Sequence, residues 1–222
     1  MTVHSIPGFA DPFSSMLHLL AAAVFSVLSF FLVARGRGSV GRMFSLAVFA
    51  FSVVFLLSMS GIFHLLPRGG TGRMVLQRLD HAGIFLLIAG SFTPLHSILF
   101  TGFWRWGMLS LVWTLAVAGI TLKSIFFDSI PEWLGLSIYL GMGWLGLLSG
   151  FLLARRFGWS FAKPLLYSGL AYSLGGITEH FGWPILIPGI IGPHEIFHLA
   201  VIAGIGIHWY FIYQCLDKTE KY

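Results

Sequence analysis

The chain has 222 residues, 57% of them hydrophobic and only 9% charged, with a mean hydropathy of +0.87. A water-soluble domain is roughly a quarter charged, so this composition excludes a soluble enzyme, a disordered chain and a nucleic-acid binder, despite a pI near 9.7. The single cysteine, Cys215, excludes an internal disulfide and a cysteine-based zinc cage. The chain reads as an all-α integral membrane protein.

A helix that crosses a bilayer needs about 20 largely apolar residues. Seven stretches meet that need, at 14–34, 43–66, 80–100, 106–127, 133–153, 164–178 and 195–216. The first two are separated by Arg35-Gly36-Arg37-Gly38 and the next two by Pro67-Arg68-Gly69-Gly70. The sixth is short and carries Gly169, Gly175 and Gly176; Pro184, Pro188 and Pro193 follow it. No intervening loop is long enough for a folded unit, so residues 1–222 read as one seven-helix membrane domain. Alternating strands of the outer-membrane barrel kind are absent. The N-terminus has no basic region followed by a cleavage site, so no cleaved signal peptide is expected.

The basic residues flank the spans. One side of the membrane collects Arg68, Arg73, Arg78 and Lys123; the other collects Arg35, Arg37, Arg42, Arg105, Arg155, Arg156, Lys163, Lys218 and Lys221. The richer side is expected to be cytoplasmic, which places the N-terminus outside and the C-terminus inside.

Ionisable groups at membrane depth are costly and mark functional sites. They are His18 in the first span, His64 late in the second with Ser60 one turn before it, and Asp80 and His81 opening the third. His194, Glu195 and His198 open the seventh, and His208 follows further along. The end of span two and the starts of spans one, three and seven share one side, so His64, Asp80, His194 and His198 converge on one layer. His194 and His198 are one helical turn apart and can grip one metal ion, with His64 as a third nitrogen ligand. Three protein ligands and an open fourth position is the pattern of catalytic zinc, at which water is activated near neutral pH. Asp80 can hold that water or accept its proton, and Ser60 can hydrogen-bond a ligand, the water or a substrate oxygen.

Plainer roles exist for each residue. Ser60 can bond its own helix backbone, Asp80 can cap a helix, and His18 can pair with a carbonyl instead of touching the site. His208 lies about 15 Å along the helix from His198, too far for the same metal, and reads as a structural or pathway residue. His4, His96 and His180 read as interfacial loop residues. By letter, His194-Glu195-Ile196-Phe197-His198 also fits the HExxH pattern, with Glu195 as general base of a protease. Intramembrane proteases of that kind carry the histidine helix before the aspartate, and here the order is reversed, so Glu195 is expected at the interface.

Ser60-x-x-x-His64, the run Leu79-Asp80-His81-Ala82-Gly83-Ile84-Phe85, and His194-x-x-x-His198 together resemble the hemolysin III family, prokaryotic relatives of the progestin and adipoQ receptors. The likeness extends to residues 88–94 and 139–144. It implies a seven-helix fold with zinc held by His64, His194 and His198, Asp80 beside the water, and Ser60 nearby. It also implies kinship with metal-dependent membrane hydrolases such as alkaline ceramidases. The family's first motif, a Glu, an Asn and a Thr-His, corresponds to Asp11, Ser14 and Leu17-His18; the carboxylate and the histidine persist.

The expected function is therefore zinc-dependent hydrolysis of a lipid amide or ester, the lipid entering sideways between helices of a prokaryotic plasma membrane. A lipid-sensing receptor or regulator of the membrane is the alternative, and a cytolytic hemolysin a second one. No soluble partner or nucleic acid is expected. Adiponectin-receptor-like relatives place the N-terminus inside, opposite to the charge count. A cysteine introduced at Thr71 in a Cys215→Ala chain is expected to react with an impermeant maleimide added to intact cells; protection until lysis would reverse the orientation.

Overall fold

The computed structural model describes residues 10–218. His4 and Lys221, read above as an interfacial and a flanking residue, lie outside the described residues. The described residues form α1 (Pro12–Arg35), α2 (Val40–Leu65), α3 (Thr71–Leu99), α4 (Gly102–Ile125), α5 (Glu132–Trp144), α6 (Gly146–Phe157), α7 (Trp159–Phe181) and α8 (Pro193–Asp217). The only extended pairing among them is one bridge between Ile187 and Ile191 in the α7–α8 connection. Helices α5 and α6 meet at Leu145 and make a single span-length rod, so the bundle has seven rods. Six are long and apolar enough to cross a membrane by length and composition. The exception is α7, whose 23 residues include Lys163, Ser168, Ser173, Thr178, Glu179 and His180.

Five of the expected spans agree with their helices to within four residues at each end. The third does not: α3 begins at Thr71, nine residues before the apolar stretch. Residues 71–79 include Arg73, Gln77 and Arg78, which form helix readily but lower the hydropathy. Asp80 and His81 therefore lie in the third turn of α3, and Asp80 is not a helix cap. The sixth stretch is likewise longer than its apolar run, from Trp159 to Phe181, ending on Gly182 in the left-handed conformation (φ 64°).

Local signals start and anchor the other rods. The Ser39 hydroxyl accepts the backbone N–H of Arg42 at the head of α2. At the head of α8, Pro193 takes the first turn and Glu195 accepts the backbone N–H of Gly192 at 2.9 Å. On the opposite end of the bundle, Arg156 donates to the Leu99 carbonyl and Arg105 to that of Phe100, closing the end of α3.

The main contacts join α1 to α2, α2 to α3, α3 to α4 and α7 to α8, while α5 touches α3, α4 and α7 only lightly. One core cluster buries Leu32, Leu46, Phe49, Leu57, Ile205, Phe211 and Ile212; a second holds Phe85, Ala89, Val112, Ala116 and Met142. Leu20, Phe30, Phe31, Phe44, Phe51 and Leu174 face outward, an apolar surface that only lipid accommodates. With lipid outside, helix association rests on close packing rather than the hydrophobic effect, which favours small residues at crossings. The α2–α3 crossing is of this kind. A Cβ on Gly90 would clash with Ser52 Oγ, and one on Gly83 would meet the Leu56 backbone at 3.1 Å. Gly90→Val is expected to cost about 1–3 kcal/mol by overpacking, read as a lower Tm of the purified protein; an unchanged Tm would show a looser crossing.

Candidate metal centre

Two rods bring three histidines together at one end of the bundle. His64 lies in the last turn of α2, and His194 and His198 in the first two turns of α8. Each offers a ring nitrogen, and the three nitrogens lie within 4.8 Å of one another. His64 and His194 stand Nε2 to Nε2 at 3.2 Å. His64 and His198 are buried at 3% and 2% exposure, while His194 is partly open.

The far side of two of these rings is held by a carboxylate. His64 Nδ1 lies 3.1 Å from Asp11 Oδ2, and His194 Nδ1 lies 3.0 Å from Glu179 Oε1. Asp11 stands at the N-cap position of α1, where its backbone N–H donates to the His64 carbonyl at 3.0 Å. Its carboxylate also accepts 2.8 Å bonds from Arg68 and Arg73. The hydrogen bond from His64, joined by those from Arg73 and Arg68, holds the Asp11 carboxyl far below the ordinary carboxylate range. Arg73 donates as well to the Phe63 carbonyl at 3.0 Å and lies over the Phe63 ring, so it caps the turn that carries His64.

These contacts decide the tautomers. An ionised carboxylate only accepts, so each Nδ1 carries a hydrogen, and in the neutral ring each Nε2 presents a lone pair. Two lone pairs facing at 3.2 Å repel unless an electrophile lies between them. A shared proton satisfies two nitrogens; a metal ion satisfies all three. A tetrahedral ion with bonds of about 2.0–2.1 Å would hold its nitrogens roughly 3.3 Å apart. The donor set therefore fits a metal, and the carboxylates complete the carboxylate–histidine arrangement of metal sites.

Asp80 and Ser60 stand at the same centre. The Ser60 hydroxyl is buried and lies against the Asp80 carboxylate. Both line a cavity of about 1020 Å³ that the three histidines also line. The cavity wall continues along Ile84, Leu87, Ile88 and Leu95 of α3, Leu140 and Leu147 of the α5–α6 rod, and Leu165 of α7. Of the expected set, His64, His194 and His198 come together, and Asp80 and Ser60 line the same cavity.

The remaining polar residues divide. His18 stacks on His198 with ring centres 4.0 Å apart and lines the cavity, so it does touch the site. His208 is not near the three histidines along α8, but it lines the inner part of the same cavity beside Ser168. His96 is not an interfacial loop residue. It is fully buried in α3, bonded to the Trp104 carbonyl at 2.6 Å and to Ser149 Oγ at 2.9 Å. His180 lies in the last turn of α7 and not in a loop. Glu195 is engaged at both oxygens, by Ser14 Oγ and the Gly192 N–H, so its work is to cap α8 and tie it to α1. Sequence reasoning gave no role to Asp11 and missed Glu179 altogether. Asp11 had a signal, its match to the first motif; nothing local to Glu179 pairs it with a residue 15 positions on.

Rods, cavity and donor set define a multi-pass helical membrane protein with a buried histidine centre that can hold a metal ion. The chain matches the "Haemolysin-III related" family over residues 9–209 and belongs to that family. It is 31% identical over 171 residues to Hemolysin-3 of Bacillus cereus, covering 77% of this chain and 74% of the relative. It is equally similar to the Hemolysin-3 homolog of Bacillus subtilis (strain 168), at 31% over 171 residues, with 77% and 76% covered.

If Asp11 orients His64, Asp11→Ala is expected to weaken divalent metal binding about 10–100-fold in chelator competition. Undiminished affinity would show that His64 needs no brace.

Proposed function

We propose that this protein is a zinc-dependent hydrolase of a lipid amide or ester, working within the membrane. The observation that carries the reading is the pair of carboxylate-held imidazoles with facing Nε2 atoms at 3.2 Å, set beside His198 and Asp80 at the head of a long apolar cavity. Three imidazoles suit zinc. His64, His194 and His198 would hold it, and the bound ion supplies a Lewis acid that polarises a carbonyl and makes water nucleophilic near neutral pH.

The chain's own groups do the rest. Asp80 accepts the proton that water gives up as its oxygen bonds to the acyl carbon. It returns that proton to the leaving nitrogen or oxygen as the C–N or C–O bond breaks. Ser60 steadies the Asp80 carboxylate from the neighbouring rod. The walls of α3, α5–α6 and α7 take the hydrocarbon chain and keep bulk water from the reacting carbonyl. The light packing of α5 against α3 and α4 supports sideways entry of a lipid between rods.

The purified protein is expected to carry about one zinc per chain, as a single closed donor set requires. His194→Ala combined with His198→Ala should remove it. Asp80→Asn should keep the metal yet lose the release of fatty acid from a panel of ceramides and ester lipids, by at least the roughly 100-fold typical of a lost general base. Metal retained in the double variant would sink the site. Metal present without product from any lipid would favour a lipid-sensing receptor.

A further inference from the structure

Lys123 lies in the last turn of α4, and among the described residues it is the only buried lysine or arginine, at 8% exposure. Its ammonium donates one long hydrogen bond, 3.5 Å to the Ile130 carbonyl, and stands 4.7 Å from the centre of the Phe127 ring. No carboxylate of the described residues is within ion-pair distance of it. Glu132, which opens α5 and lines the same cavity, is not a partner either. The helix end and the aromatic face favour a cation there. An ammonium nevertheless has three N–H donors, and a charge withdrawn from water is costly until it is paired.

The direction of that charge matters more than its burial. Lys123 lines the cavity that holds Asp80 and the three histidines. The cavity's other cationic residues, Arg68 and Arg73, are both committed to Asp11. Lys123 is thus the cation on the cavity wall with no carboxylate of its own.

We propose that Lys123 is the anchoring point for an anionic group, a phosphate or carboxylate, carried by the lipid that occupies this cavity. The ligand class is then an anionic lipid, with its charge at Lys123 and its apolar chain along α3 and α5–α6. That its carbonyl lies at the histidine centre rests on the hydrolase reading; the charge recognition does not.

Binding separates the two. Purified protein in phosphatidylcholine nanodiscs is titrated with oleoyl lysophosphatidate and with uncharged monoolein. The wild type is expected to bind the phosphate lipid about tenfold more tightly, as one charge-assisted contact implies. Lys123→Met and Lys123→Gln should abolish the preference, and Lys123→Arg should keep it, with melting temperatures reporting on the fold of each. The preference should persist in the chain lacking His194 and His198, which separates recognition by Lys123 from binding of the anion to a metal. Displacement by millimolar inorganic phosphate would assign the recognition to the free anion as well; its failure, with the preference intact, would assign it to the lipid alone. Equal affinities in the wild type, or a preference surviving in both Lys123→Met and Lys123→Gln, overturn the proposal. A negative hydrolysis assay leaves all of these outcomes readable.

Discussion

Two imidazoles pinned from behind by carboxylates are what the rest of the centre depends on. Asp11 and Glu179 take the Nδ1 hydrogens of His64 and His194 and so oblige the opposite nitrogens to present lone pairs to each other. Without the carboxylates, each ring could turn or change tautomer, and the pair would settle as an ordinary hydrogen bond. With them, the geometry favours a cation and disfavours an empty contact. The brace on His64 is itself braced, since Arg68 and Arg73 share the Asp11 carboxylate and Arg73 also caps the turn bearing His64.

Membrane depth makes this arrangement consequential. A polar side chain there finds few partners except other protein groups, so satisfied and unsatisfied groups are easily told apart. His96 is satisfied on both sides and ties α3 to the α4 entrance and to α6. Glu195 is satisfied by Ser14 and a helix end. Both are structural for that reason. His64, His194 and His198 bring ring nitrogens within 4.8 Å of one another, and Lys123 lines the cavity with no carboxylate partner among the described residues. Those are the groups whose chemistry is left for a ligand.

The cavity opens where the α5 half of the fifth rod packs lightly. Helices α2 and α3 approach so closely that Gly83 and Gly90 are needed at their crossing, whereas α5 packs lightly and Gly135, Gly143 and Gly146 of the α5–α6 rod line the open space. The α2–α3 pair carries Ser60, His64 and Asp80, α8 carries His194 and His198, and the lightly packed α5 walls the cavity beside them.

The membrane class, most helix positions and the three histidines that cluster were legible in the linear chain. Apolar runs of span length report bilayer thickness, and His194 and His198 share a face through helical periodicity alone. Span parity then sufficed to bring His64 and Asp80 to the same layer. The start of α3 was hidden, because a helix that continues into the interface carries Arg73, Gln77 and Arg78 and loses its apolar signature. Partner choice was hidden more deeply. Glu179 reaches His194 and Asp11 reaches His64 only because α7 packs on α8 and the chain before α1 lies over the end of α2. Hydropathy and spacing describe one helix at a time, and these pairings are properties of two. The low charge content placed the chain in a membrane; the contacts between rods decided which of its few ionisable groups are spent on structure and which remain for chemistry.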